Sequence, residues 1–256
     1  MRCFFSLVIS WVFISSNCFS EDVGEKICSL THCYTVIREL GEGAFGKVHL
    51  VEDERGAKFA LKCFKDYRSA GADDPLCLAR KEFECGQLLN HPNIIKTYDL
   101  FSHNSKDQEM QPCLLLEFVD GKDLTEKSSE KISPNKSLEM ALQLVCALRH
   151  ALLFNLFFVD SNEGNIMVDE EGNLKLIDLS SFSHEPQAYY PDYFDVITEK
   201  CLLLIRRSDL NRAEKFNLFL KIKQVAWNYH EDLEEGKSFS LDGYFEELTQ
   251  ILENKD

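Results

Sequence analysis

Between two stretches of strand-forming residues, 34–40 (YTVIREL) and 47–54 (KVHLVEDE), the chain sets three glycines in the spacing Gly41-x-Gly43-x-x-Gly46. Glycines so placed allow a tight hairpin whose backbone N–H groups are not screened by side chains, a surface that phosphate oxygens can approach. A third strand-like run, 58–64 (KFALKCF), follows a turn at Arg55-Gly56, so the segment predicts an antiparallel meander. A dinucleotide-binding fold would need a helix directly after the glycines, and strand formers stand there instead.

Beyond the meander the pattern changes by stages. Residues 74–89 have Leu78, Phe83 and Leu88 near helical spacing and no proline after the first turn, which predicts a helix ended by His91-Pro92-Asn93. Two further strands are expected at 93–102 and 113–119. A long amphipathic helix is expected at 137–154, with Leu138, Ala141, Leu144, Val145, Leu148 and Leu152 on one face. A short hairpin over 165–179 turns at Glu171-Gly172-Asn173, and helical patterns close the chain at 195–206, 209–229 and 241–252. Strands first and helices afterwards predict an α+β protein with a β-rich N-terminal lobe and a mostly helical C-terminal lobe.

The first 20 residues read as a secretory leader: Met1-Arg2, an apolar run from Phe4 to Ile14, then small residues that place a cut before Glu21. Cleavage sends the protein into the secretory pathway or outside the cell, whereas a retained leader makes a membrane anchor. No later segment is apolar for long enough to span a bilayer. The chain carries 43 acidic and 28 basic residues, and loss of the leader removes Arg2 and no acid, moving the net charge from −15 to −16. Such a balance argues against nucleic acid and anionic membrane surfaces as partners. The ten cysteines include no CxxC pair. Cys28 and Cys33 are close enough in sequence to pair in an oxidising compartment, while Cys63, Cys85, Cys113 and Cys146 lie in apolar segments and are expected as buried thiols.

Four acidic or amide residues and one lysine then stand out. Lys62 lies in an apolar strand where an ammonium needs a partner, and Glu82 on the following helix can reach it. Asp160 and Asn165 flank a short loop between the long helix and a strand, a spacing that lets one accept a hydroxyl proton while the other coordinates a cation. Asp178, after 174–177 (LKLI), can complete an Mg2+ site. Taken singly, each carboxylate is an ordinary loop or turn residue; their order gives them meaning.

In that order they resemble the eukaryotic-type protein kinase catalytic domain, where GxGxxGxV, VAIK, a helix glutamate, HRDxxxxN and DFG follow one another at these separations. The resemblance implies a two-lobed protein-kinase-like fold over 34–256, the N-lobe at about 34–119 and a reduced C-lobe at about 120–256. It implies ATP and Mg2+ as cofactors. By position, Gly41, Gly43 and Gly46 would cover the nucleotide, with Val48 and Ala60 against adenine, and Lys62 would hold phosphates while pairing with Glu82. Leu116 would be the gatekeeper, Glu117 and Val119 would offer backbone hydrogen bonds to adenine, Asp123 would lie near the ribose and Met167 under the base. Asp160 would be the catalytic aspartate, with Asn165 and Asp178 the metal ligands.

The chain departs from the family pattern at several points. Phe158-Val159-Asp160 stands for HRD, Asn162 replaces the lysine that contacts the transferred phosphate, and Asp178-Leu179-Ser180 stands for DFG. Gly86 takes a bulky position on the helix after the meander. No APE motif lies between Asp178 and Asp195, where the central C-lobe helix is expected to begin. The favoured expectation is a kinase of protein Ser/Thr hydroxyls. A small-molecule phosphotransferase resembling aminoglycoside and choline kinases is the second reading, and a nucleotide-binding pseudokinase the third. The oligomeric state is left open.

Overall fold

The computed structural model describes residues 23–43, 45–65, 74–104, 110–126, 131–160, 162–184, 190–235 and 240–253; the segment 1–20, expected to be a leader, lies outside them. The chain divides into two compact units. The first holds the described residues up to Gln87 together with Lys96–Val119, and the second holds Leu88–Ile95 and the chain from Asp120 onward.

The first unit is a six-stranded sheet and a helix. Strands β1 (Lys26–Cys28), β2 (Cys33–Gly43), β3 (Gly46–Glu52), β4 (Lys58–Phe64), β5 (Thr97–Asn104) and β6 (Met110–Glu117) lie in the order β1-β2-β3-β4-β6-β5, every neighbouring pair antiparallel. The expected meander is β2-β3-β4, and β1 is an addition too short to leave a periodic signal in sequence. A disulfide between Cys28 and Cys33 ties β1 to β2. Alternation along the strands sorts the side chains onto two faces. One face carries a core of Ile27, Tyr34, Val36, Val51, Leu61, Cys63, Cys113 and Leu115. Cys63 and Cys113 face each other across β4 and β6 with their sulfurs 3.2 Å apart. The Cys63 thiol and burial together hold the Cys113 thiol far above its ordinary pKa, so it stays protonated.

Helix α1 (Pro75–Leu88) occupies the expected position. The strand expected from 93 starts instead at Thr97. Residues before it are captured by the second unit: the Ile95 N–H donates to the Leu176 carbonyl (2.8 Å), the Leu176 N–H to that of Asn93 (2.9 Å), and the Asn93 amide to that of Leu174 (2.7 Å).

The second unit contains β7 (Gly121–Asp123), α2 (Pro134–Leu152), β8 (Phe157–Phe158), β9 (Ile166–Asp169), β10 (Leu174–Leu176), β11 (Phe182–Ser183), α3 (Tyr190–Arg206), α4 (Arg212–Glu234) and α5 (Leu241–Glu253). Helix α2 starts where Ser133 accepts the Lys136 N–H and Pro134 enters the first turn, and it ends with Arg149 and His150 near the negative pole of its dipole. Its buried face comprises Met140, Ala141, Leu144, Val145, Ala147, Leu148 and Ala151. That face is broader than expected, because α3, α5, β8 and β10 all lean on the helix. Leu138 and Leu152 are only half-buried at its margins, and Cys146, expected inside, is exposed. Helices α3 and α4 keep their expected places with shifted ends, α3 beginning at Tyr190 and α4 running to Glu234. Among the described residues no helix is long and apolar enough to cross a membrane.

Candidate active site

In the first unit the glycine turn is the tip of the β2-β3 hairpin, Gly41 standing opposite Val48 and Gly43 opposite Gly46. Gly46 has φ +151°, and a Cβ there would lie 2.0 Å from the Cys63 carbonyl oxygen, so only glycine lets β3 approach β4 this closely. Gly43 has open space where its Cβ would be.

Register then gathers Val48, Ala60 and Lys62 on one face of the sheet. Val48 faces Lys62, Leu50 faces Ala60, and across β6 Lys62 faces Leu114 while Ala60 faces Leu116, which puts all six on the sheet face opposite the apolar core. Helix α1 is tied to this face by Lys62, whose Nζ donates to both Glu82 carboxylate oxygens at 2.6 and 2.8 Å. Glu82 is 4 % exposed. A carboxylate that deeply placed is sustained by its cation, and the pair fixes the lysine's direction. At the end of β6 the Glu117 N–H donates to the Lys96 carbonyl (2.9 Å), and Val119 is buried two residues on.

In the second unit, two loops are knitted together around Asn165. Strands β8 and β11 pair Phe158 with Phe182, and the Val159 N–H donates to the Ser181 carbonyl (2.8 Å). The buried Asn165 amide donates one hydrogen to the Asp160 carbonyl (3.1 Å) and the other to the Ser181 Oγ (3.0 Å), while its backbone carbonyl receives the Ile177 N–H (3.0 Å). Both amide hydrogens are thereby used, leaving Oδ1 as an acceptor. Asp160, Asn165 and Asp178 are so held in one loop cluster. The Asp160 side chain is exposed and its Oδ1 takes the Asn162 N–H at 3.3 Å. The Asp178 Oδ1 accepts the Ser180 N–H (3.1 Å) and hydroxyl (2.8 Å), tightening the turn where DFG would have its glycine.

Asn162 serves the loop's backbone, since its side chain accepts the Gly164 N–H (3.1 Å) and starts the 3-10 turn Glu163–Asn165. Met167 faces Asp123 across β7 and β9. The Asp123 carboxylate is turned into its own loop, accepting the N–H groups of Thr125 (2.8 Å) and Glu126 (3.0 Å) and the Thr125 hydroxyl. Gly86 is buried within α1.

Three neighbours of this cluster escaped sequence reasoning. Ser181 orients Asn165, as described. Arg207, just past α3, donates to the Leu124 carbonyl (2.7 Å) and the Glu163 carboxylate (2.8 Å), clamping the loop from behind. Lys200 on α3 is half-buried; burial lowers its pKa, and Glu163 and Asp160 oppose that shift. Neither of these two basic residues carries a local signal, since each reaches the loop only through the fold.

The donor set suits magnesium, which takes oxygen ligands and keeps several waters: a carboxylate at Asp178 and a spare amide oxygen at Asn165.

Comparison with known proteins places the chain in a family. The family model described as "Protein kinase domain" matches residues 34–191. NUAK family SNF1-like kinase 2 of Homo sapiens is 29 % identical over 161 residues, which is 61 % of this chain and 25 % of that protein. Ribosomal protein S6 kinase alpha-3 of Homo sapiens is 32 % identical over 194 residues, 66 % of this chain and 25 % of its own length. The probable serine/threonine-protein kinase PknB of Bifidobacterium longum is 30 % identical over 155 residues, 57 % of this chain and 22 % of that protein. The chain thus spans about a quarter of the length of these relatives.

Proposed function

The chain belongs to the protein kinase family, and from that membership we propose that it transfers the terminal phosphoryl group of ATP to a serine or threonine hydroxyl of a protein. The observation that carries the reading is the Lys62–Glu82 pair, both carboxylate oxygens on one ammonium, on the face that also presents Val48, Ala60 and Leu116. A lysine so fixed offers its charge to phosphate oxygens without further ordering.

The residues divide the work. The glycine hairpin lies over the nucleotide phosphates, Val48 and Ala60 meet the adenine, and the backbone at Glu117 and Val119 reads its edge. Asp123 faces the ribose only by sharing a carboxylate already engaged with Thr125 and Glu126. Asn165 and Asp178 would hold Mg2+, which supplies positive charge to the phosphate oxygens when bound. Asp160, exposed and anchored through its backbone, orients the acceptor hydroxyl and takes its proton. Catalysis is then mainly positioning and electrostatic stabilisation.

The test is transfer of label from radiolabelled ATP by the purified full chain with Mg2+ and a generic protein acceptor. Lys62→Ala and Asp160→Asn are each expected to lower transfer by about 100-fold or more, Asp160→Asn with nucleotide affinity retained. Transfer that persists unchanged in both variants contradicts the assignment.

One observation favours a second reading, transfer to a small molecule: only eleven residues separate Asp178 from the start of α3 at Tyr190, which leaves little chain to dock an extended peptide. Label appearing on a metabolite panel but on no protein would select it. We also propose export of the chain, a reading supported by the leader and by the Cys28–Cys33 disulfide. A mature N-terminus at Glu21, read by mass spectrometry, is the expected result; an intact Met1 contradicts cleavage.

A further inference from the structure

Helix α4 (Arg212–Glu234) is buried on one side through Ile222, Val225 and Ala226, which face α3 and α5. On the other side it carries Arg212, Phe216, Leu220, Lys223, Trp227 and Glu231, spaced 4, 4, 3, 4 and 4 residues apart. At 3.6 residues per turn these six fall within an arc of roughly 100°, one continuous stripe. Its apolar members are far from buried: Phe216 is 59 % exposed, Leu220 49 % and Trp227 68 %. Arg212 and Glu231 are exposed at its two ends.

The spacing of the stripe reads the same in both directions, while its chemistry is complementary end to end. Laid antiparallel on a copy of itself, it sets Arg212 against Glu231, Phe216 against Trp227 and Leu220 against the aliphatic stem of Lys223, each pair occurring twice about one two-fold axis. This is the self-complementarity that an isologous interface requires. Lys223 does not spoil the centre with repulsion, because its ammonium is turned back onto α3, 2.9 Å from Glu199 and 3.9 Å from Asp195. Phe216 is already braced, its ring stacked on Phe219 at 6.4 Å.

The charges also run against the helix. A cation at the positive end of the dipole and an anion near the negative end are both unfavourable within an isolated helix, so Arg212 and Glu231 do not stabilise α4 through its dipole. Paired antiparallel, each meets the opposite charge. We propose that the chain self-associates as a two-fold dimer through α4, the stripe of one copy against that of the other. A single helix pair lies at the small end of specific interfaces, so the dimer is expected to be weak, in the micromolar range.

Sedimentation equilibrium of the full chain, from about 1 to 100 µM to bracket that range, should show a monomer–dimer equilibrium. Trp227→Glu should weaken it at least about 30-fold, as removal of a central aromatic anchor does. Arg212→Glu and Glu231→Arg, each alone, should weaken it about tenfold or more by setting like charges face to face, and the double charge swap should restore it. Each single swap improves the match of α4 to its own dipole, so loss of the dimer cannot be assigned to loss of the helix. The proposal is overturned by a chain that stays monomeric throughout, by a dimer indifferent to these changes, or by a double swap that does not recover association. Binding of the stripe to anionic vesicles by a chain that remains monomeric overturns it as well.

Discussion

A lysine ammonium that is half-buried without a hydrogen-bond partner is held by the charges around it rather than by a contact. Lys200 is such a group among the described residues, set in the field of Glu163 and Asp160. Replacing it with Met removes a desolvation cost, so the unfolding midpoint should be unchanged or raised. Phosphoryl transfer should fall about tenfold as Asp160 loses a nearby cation, while Glu163 keeps Arg207; equal rates would show that this charge has no part in the reaction. His91 behaves differently. Burial, then the charges of His150 and Lys175, hold its imidazole below the ordinary value of 6.5, and its Nδ1 accepts the Asn93 N–H (3.1 Å), a bond that only the unprotonated nitrogen can make. A folded-state pKa below the unfolded one contributes stability that is complete above about pH 6.5 and is lost as pH falls below it. Thermal unfolding between about pH 7 and 5 should show that loss, and His91→Asn, which keeps an acceptor without a titrating group, should reduce it. Of these residues the sequence marked only the ones with a fixed place in a motif; Lys200, Arg207 and Ser181 acquire their roles through contacts with residues distant in the chain.

The β2-β3 hairpin makes a prediction for an element. A Cβ at Gly46 meets the backbone of Cys63, while one at Gly43 meets nothing within 4 Å. Gly46→Ala is expected to cost about 1–3 kcal/mol in chemical denaturation and Gly43→Ala much less; equal costs would show that β3 and β4 can separate without penalty. Elements with a long period were legible in the sequence. The meander, α1 and α2 repeat their patterns over enough residues to be read, and the three glycines fix the hairpin between them. Strands β1, β8 and β11 have two or three residues each and owe their existence to partners: a disulfide for β1, and each other for β8 and β11. The helix α3 begins before Asp195 because Pro191 is tolerated in a first turn. The segment 93–95 looked like strand and is bonded to β10 instead, since its Asn93 side chain and two backbone bonds favour that neighbour.

At the scale of the molecule, the change from strands to helices along the chain anticipated the two kinds of unit. What the pattern could not show was that Leu88–Ile95 belongs with the second. The candidate site was legible in its residue types and obscure in its support: the carboxylates and the lysine announced themselves, and the hydrogen bonds that aim them did not. The strand order has a consequence of another kind. A six-stranded sheet has two ends, and here one is β1, three residues long and tethered by the Cys28–Cys33 bridge, while the other is β5, eight residues long. A short, pinned border is a poor template for a foreign strand, and a long one is a good template. Should the fold loosen under heat, strand addition and fibre growth are expected from the β5 border, and a proline introduced at Phe101 should delay the rise in light scattering more than one at Ile27.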